Sequence, residues 1–387
     1  MSWDYKTLDE LGSVSRGRSK HRPRNDPSLF GGKYPFVQTA DVKDANLYLT
    51  QYSETYNDRG LEQSKLWHPG TLCITIAANI ADTAILGMDA CFPDSVMGFV
   101  PFEGVANVKF VKYAFDMLQR DCKQISQGTA QDNLSWKKLS TIKFPAPPIE
   151  IQDKIVEYIS TYDDLIENNQ KQIKLLEEMA QRLYKEWFVD LRFPGYEDTP
   201  VVDGVPEGWK KEKLIDIVDV QYGYAFDGSL FNDKKNGTPI IRIRNIPNGM
   251  TNDYTTEETD ARYLVENGEI VIGMDGEFHI NAWCGDTSYL VQRTCCFRPH
   301  KVIMNGWLLW AIHDPIKYFE KTVVGATVAH LGKKHIDTIE LLTSPDDLYI
   351  PFDNIFRKRL LLLNQNRKLI EARDRLLPKL MSGELEV

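Results

Sequence analysis

No stretch of this chain approaches the run of about eighteen apolar residues that a membrane-spanning helix needs. The opening MSWDYKTLDELG lacks the basic and then apolar segments of a secretion signal. Cysteine is sparse. Cys73, Cys91, Cys122, Cys284, Cys295 and Cys296 show no C-x-x-C spacing, and in a chain of this size they read as reduced, mostly buried thiols of a cytoplasmic protein. Net positive charge is lacking too. At −9, the chain is unlike a domain that binds DNA alone by neutralising phosphates.

Recognisable chemistry is also missing. There is no G-x-x-x-x-G-K-[ST] phosphate loop and no Asn/Asp-Pro-Pro-aromatic tetrapeptide of the kind that positions a flipped base. Pro93-Asp94 and Pro345-Asp346 resemble the start of a metal-dependent nuclease motif, but no acidic-x-Lys pair follows either at short distance. His330 and His335 stand five apart with no neighbouring Cys and no nearby acid but Asp337. That makes a zinc site a poor reading and a solvent- or DNA-facing loop a better one. The expectation is a binding module with no catalytic residues, no metal and no cofactor.

What is present is one unit written twice. Each copy opens on a Trp and a short helical run, Trp3-x4-Leu8-x3-Gly12 and Trp209-x4-Leu214. An apolar strand ending in polar residues follows, PFVQTADV (35–42) against PIIRIRNI (239–246). A turn glycine then leads into an alternating strand, Gly70-Thr-Leu-Cys-Ile-Thr-Ile against Gly268-Glu-Ile-Val-Ile-Gly-Met. Gly128 to Leu134 matches Gly325 to Leu331 at an offset of 197, which Ile142 and Ile339 keep.

A long helix closes each copy. In the first, Ile155, Ile159, Tyr162, Ile166, Asn169, Ile173, Leu176, Ala180, Leu183 and Trp187 step by four and three, a heptad seam with one polar position. The second seam runs Phe352, Phe356, Arg359, Leu363, Asn366, Ile370, Arg373, Leu377, Leu380; it is poorer in apolar residues but keeps the asparagine in register. A helix of about 35 residues is about 50 Å long. Pro145-Ala-Pro-Pro148 and Ser344-Pro345 break the chain before the helices. The expected fold is α+β: two mixed α/β domains separated by two long helices forming a coiled-coil spacer. The expected boundaries are domain one at 1–148, spacer helix one at 149–192, a linker at 193–208, domain two at 209–346 and spacer helix two at 347–387.

The segments between the repeats carry a resemblance. The pattern PxPPxxxQxxI (Pro145–Ile155), the helix end LYKEWFVDLRFPG (Leu183–Gly195), VPEGW (Val205–Trp209) and the closing Leu376-Leu-Pro-Lys-Leu-Met-Ser-Gly383 resemble, in this order, type I restriction-modification specificity subunits. The resemblance covers essentially the whole chain, and its motifs are structural rather than catalytic. It implies two target-recognition domains that each read half of a split double-stranded DNA site. It also implies an antiparallel helix pair that sets their spacing and docks two methyltransferase subunits, with restriction-translocase subunits joining the larger assembly. A specificity protein of a related system, or a coiled-coil scaffold whose globular ends bind protein, remains open.

Four regions offer candidate DNA-contacting residues. The first is the acid-free stretch Arg16, Arg18, Lys20, Arg22, Arg24, a phosphate clamp or a solvated loop; its counterpart, Gln221 to Phe226, is aromatic. The second is Gln38 and Thr39 against Arg242, Arg244 and Asn245; the two arginines share a strand face, as base readers or as partners in a surface ion pair. The third is a loop with Asn79 and Thr83 against Asp275, Glu277, His279 and Asn281. The fourth follows the glycine turn, with Thr129, Gln131 and Lys137 against Thr327, His330, Lys333 and Lys334.

Overall fold

A computed structural model of the chain describes residues 3–76, 82–125, 139–322 and 329–387, with the side chains of 120–125 left aside. The chain divides into two compact units. One comprises Met1–Leu165 with Leu369–Val387, the other Ile166–Lys368.

In the first unit, a five-stranded sheet orders Gly12–Arg16, Val96–Pro101, Leu72–Thr75, Thr83–Leu86 and Tyr48–Leu49. A four-stranded sheet orders Glu54–Tyr56, Phe30–Phe36, Ala90–Cys91 and Leu66–Trp67. The strand after the Gly70 turn was expected to alternate, and it does, but both of its faces are buried. Leu72 and Ile74 join a core with Phe99 and Phe110, whereas Cys73 joins Trp67 and Phe92 on the other side. The second unit repeats this layering. One sheet orders Val218–Tyr222, Thr294–Pro299, Ile270–Gly273 and Ile280–Ala282; the other orders Phe231–Asn232, Tyr254–Thr255, Thr238–Ile241, Ser288–Leu290 and Leu264–Val265. Ile270 and Ile272 face one core and Val271 the other. Gly70 (φ +86°) and Gly268 (φ +96°) both turn through the left-handed region, where a side chain is disfavoured.

The long helices run over Ile149–Tyr184, extended by a wide turn at Lys185–Val189, and over Ile350–Ser382. They pair antiparallel, because residue numbers rise along one as they fall along the other. In the first unit Asp163 meets Arg373 at 2.7 Å. In the second, the Asn169 amide donates to Asn366 Oδ1 at 2.9 Å, and Arg359 Nε donates to Glu177 at 2.7 Å. Ile155, Ile159, Ile166, Ile173 and Ala180 are buried along the first seam, and Phe352, Phe356, Leu377 and Leu380 along the second. The seam positions that looked poor, Arg359 and Arg373, are therefore filled by ion pairs between the helices.

The segments that carry the resemblance are packing devices. Gln152, from the PxPPxxxQxxI segment, is fully buried. It accepts from the Asn107 N–H (2.9 Å) and donates to the carbonyls of Val105 (3.0 Å) and Pro147 (2.9 Å), so it satisfies backbone groups at the helix start. Phe188 and Phe193, from the helix-end segment, pack on Trp209 of VPEGW with ring centroids 4.9 and 4.7 Å apart. Gly383 (φ +74°) lies against the Trp3 ring. No helix among the described residues is long and apolar enough to cross a membrane.

Candidate nucleic-acid interface

The basic stretch of the first unit is held by its backbone. Gly17 is pressed so closely on the Phe92–Pro93 turn that a Cβ would lie 2.3 Å from the Pro93 carbonyl. The Gly17 N–H donates to Val96 O at 2.8 Å and that of Arg18 to Phe92 O at 3.0 Å. Ser19 is buried, so Arg16, Arg18 and Lys20 alternate with inward residues and are exposed together, without an ionic partner among the described residues. The last two cations are committed within the chain. Arg22 donates to the carbonyls of Ser19 (2.7 Å) and His21 (2.8 Å), and Arg24 pairs with Asp94 at 2.7 Å. Close by, hydrogen bonds from Ser28, and then from His21, hold the Asp26 carboxyl down to about 2.

Arg24 also borders an open cleft of about 610 Å³, with Asn25, Phe30, Gln38, Glu54 and Ser95 on its walls. Two candidate regions distant in sequence, the basic stretch and Gln38, thus meet. Gln38 is exposed, and its amide donates to Glu54 at 2.6 Å.

The second region corrects an expectation. The strands stop at Phe36 and Ile241, before the polar residues. Gln38 and Arg242 instead open helical turns: the Gln38 N–H donates to Asp41 Oδ2 (2.7 Å) and that of Arg242 to Asn245 Oδ1 (2.8 Å). A side-chain acceptor three residues on offers the backbone a cap that competes with the sheet ladder. Thr39 therefore begins the helix Thr39–Asp44, and Arg242 and Arg244 share no strand face. Arg244 is paired with Asp253, which also accepts from Asn245 at 3.2 Å, whereas Arg242 stands 5.6 Å from the centre of the Phe231 ring.

In the third region Thr83 is a buried strand residue opposite Ile74, not a loop residue. Its burial follows from the two-sided core around the strand. His279 is half-buried beside Glu277 at 3.7 Å. Asn281 uses its whole amide inside the protein, donating to the carbonyls of Ile246 (3.0 Å) and Pro247 (2.9 Å) and accepting from Arg359 (3.0 Å). In the fourth region, the expectation that His330 lacks an acidic partner other than Asp337 fails. An isolated bridge between Asp275 and His330 brings their side chains to 2.5 Å, and Asp275 also pairs with Arg293. Burial pushes the Asp275 carboxyl up, but these hydrogen bonds outweigh it and hold it below its ordinary range. His335 caps its own turn by accepting from the Gly332 N–H at 3.1 Å. Lys333 and Lys334 are exposed on the short helix Lys333–Ile336. Asn79, Thr129, Gln131, Lys137 and Thr327, and the Cys122 side chain, lie outside the described residues. The other five cysteines are free and buried.

The sequence holds a further match between the two units. Asp26-Pro-Ser-Leu-Phe30 matches Asp227-Gly-Ser-Leu-Phe231, and in both the Asp accepts from the Ser N–H at 2.9 Å. The opening Trp3/Trp209 match, at an offset of 206 against the 201 of this one, aligns Gly17 with Gly223, whose Cβ would lie 2.0 Å from Val291 O. The difference between the offsets shows that the basic stretch is longer than its counterpart. Where the first unit carries cations, the second carries Tyr224 and Phe226 against each other (centroids 4.8 Å apart) and against Tyr263 and Tyr289 (5.2 and 5.4 Å). Among the described residues no group of three or more His, Cys, Asp or Glu is placed to hold a metal ion.

Comparison with known proteins places these features in context. A family model described as the type I restriction modification DNA specificity domain matches residues 1–178 and 206–346. The MjaIX type I specificity subunit of Methanocaldococcus jannaschii is 24% identical over 412 residues, covering 100% of this chain and 94% of that one. The EcoBI specificity subunit of Escherichia coli is 33% identical over 137 residues, covering 35% of this chain and 29% of the relative. The crystal structure of a type I restriction-modification S subunit from M. genitalium has the same fold, with a TM-score of 0.56 at 14% identity, covering 100% of this chain and 97% of that one.

Proposed function

This chain belongs to the family of type I restriction-modification DNA specificity subunits, and on that footing we propose that it is a non-catalytic reader of a bipartite, asymmetric site in double-stranded DNA. Each globular domain, 1–148 and 209–346, reads one half-site, and the helix pair fixes the distance between them. That is the half-site geometry of a dimeric DNA binder made within one chain. The observation that carries the reading is the pairing of one fold plan with two surface chemistries. Gly17 and Gly223 close equivalent turns, yet Arg16, Arg18 and Lys20 surround one, and Tyr224 and Phe226 the other.

In this reading Arg16, Arg18 and Lys20 contact phosphate, and so do Lys333 and Lys334. Gln38 and Arg242, at the mouths of equivalent capped turns, are the leading base-edge candidates. The helices also dock methyltransferase subunits, two of them, and through these the restriction subunits. With a net charge of −9, the chain binds its site tightly only inside that assembly.

Methylome sequencing of cells with and without the gene tests the proposal. Loss of one split, asymmetric methylation motif is the expected result. An unchanged methylome, with methyltransferase partners that are active with another specificity subunit, overturns it.

A further inference from the structure

In the second unit a chain of side chains leads from the helix pair to the turn that carries Arg242, Arg244 and Asn245. Arg359 is buried in the seam, and its Nε donates to Glu177 of the facing helix at 2.7 Å. Its Nη2 donates to Asn281 Oδ1 at 3.0 Å, and Asn281 sits on the strand Ile280–Ala282. The Asn281 amide in turn donates to the carbonyls of Ile246 and Pro247, which directly follow the turn Ile243–Asn245. The side-chain donors and acceptor of Asn281 are thus all used, and each link is a defined hydrogen bond. The first link is charge-assisted and the second has a charged donor, both stronger than neutral pairs.

We propose that Asn281, Arg359 and Glu177 form a positioning relay that fixes the second reading turn relative to the helix pair, and thereby sets base discrimination at the second half-site. None of the three needs to touch DNA. Their role is to hold the Arg242 turn where its side chains reach base edges in one register. A base-edge contact discriminates only when its geometry is held, so a turn free to shift accepts neighbouring bases. The relay rests on the bipartite reading proposed above.

Asn281→Asp separates its parts. The carboxylate still accepts from Arg359 but no longer donates to Ile246 and Pro247, so the helix link survives and the turn is released. Wild-type and variant subunits would each be assembled with their methyltransferase subunits and used to methylate a genomic DNA library, and the methylated motif read by sequencing. We expect Asn281→Asp to relax discrimination at second-half-site positions by roughly tenfold and to leave the first half-site unchanged. Arg359→Lys, which keeps the charge but not the forked geometry, should give a smaller relaxation at the same positions.

A variant that methylates less but at an unchanged motif would show a merely structural role and overturn the relay. So would relaxation spread equally over both half-sites. If Asn281→Asp fails to assemble, Glu177→Ala tests the helix link instead, because it removes the acceptor of Arg359 Nε at a partly exposed side chain that tolerates the change, and an unaltered motif there is equally fatal. A wild-type complex that yields no split motif would refute the bipartite reading itself, a result distinct from either failure of the relay.

Discussion

The two units share a fold plan and differ in how their helix segments are pinned. In the first, Asp163 is almost fully buried; it accepts from Arg373 and also from the Tyr113 hydroxyl at 2.6 Å. Burial, and then the neighbouring carboxylate, push that hydroxyl well above its ordinary range, so it stays protonated and donates. In the second, the cation is the buried partner. The Arg359 side chain is 10% exposed, and the facing Glu177 is 37% exposed. Both pairs take the arginine from the second helix and the acid from the first, yet the burden of desolvation falls on opposite partners. Similar pairs across one seam can therefore differ about two-fold in what their loss costs, because the group left behind either is or is not reached by water.

The largest expected effect tests this difference. Arg373→Ala strands a buried carboxylate and should destabilise by about 3 kcal/mol, whereas Arg359→Ala leaves a Glu that water can reach and should cost about half as much. Urea denaturation of the two variants decides, and equal losses would remove the distinction. Next come the equivalent glycines. Gly17→Ala and Gly223→Ala each drive a Cβ into a backbone carbonyl, and each should cost about 2 kcal/mol in the same assay. A harmless substitution at either would break the structural equivalence of the two turns.

The surfaces of these turns should then behave differently. Replacing Arg18 and Lys20 together with Ala should weaken binding to all DNA sequences and lower the salt slope by roughly 2, at about 0.9 per lost phosphate contact. Tyr224→Ala should leave that slope alone. Titrations at several salt concentrations with the assembled complex measure both, and a changed base preference in the Arg18/Lys20 variant would reassign those residues to base readout. The smallest effect belongs to the point where the helices meet in like residues. Replacing Asn169 and Asn366 together with Leu should raise stability by under about 1 kcal/mol, while loosening helix register. Register is read as methylation at sites whose spacer differs by a base pair or two.

How much of this was legible beforehand varied with the kind of residue. The seams were readable because a heptad spacing is a one-dimensional pattern, and Asn169 opposite Asn366 followed from the shared offset. Asp163 was missed because it lies one position off the seam and looks solvated in sequence; its partner Arg373 only looked like a defect. The polar ends of the first strands were misplaced because nothing in PFVQTADV or PIIRIRNI says that a cap three residues on outcompetes the ladder. Asn281 was set beside DNA-facing residues because an asparagine in a polar segment looks the same whether it meets a base or two carbonyls.

The order of the repeat, the turn glycines, the helix pair and the kinship of the chain were determined by sequence alone, since periodicity, punctuation and motif order are local. Tertiary structure decided which polar residues remain available to a ligand. Arg244, Asn281 and His330 are taken by Asp253, by Arg359 with the carbonyls of Ile246 and Pro247, and by Asp275, whereas Arg18 and Lys20 have no ionic partner among the described residues. Hydrogen-bond partners come from residues far away in the chain, and burial sets what each pairing is worth, so neither can be read from a residue's neighbours in sequence.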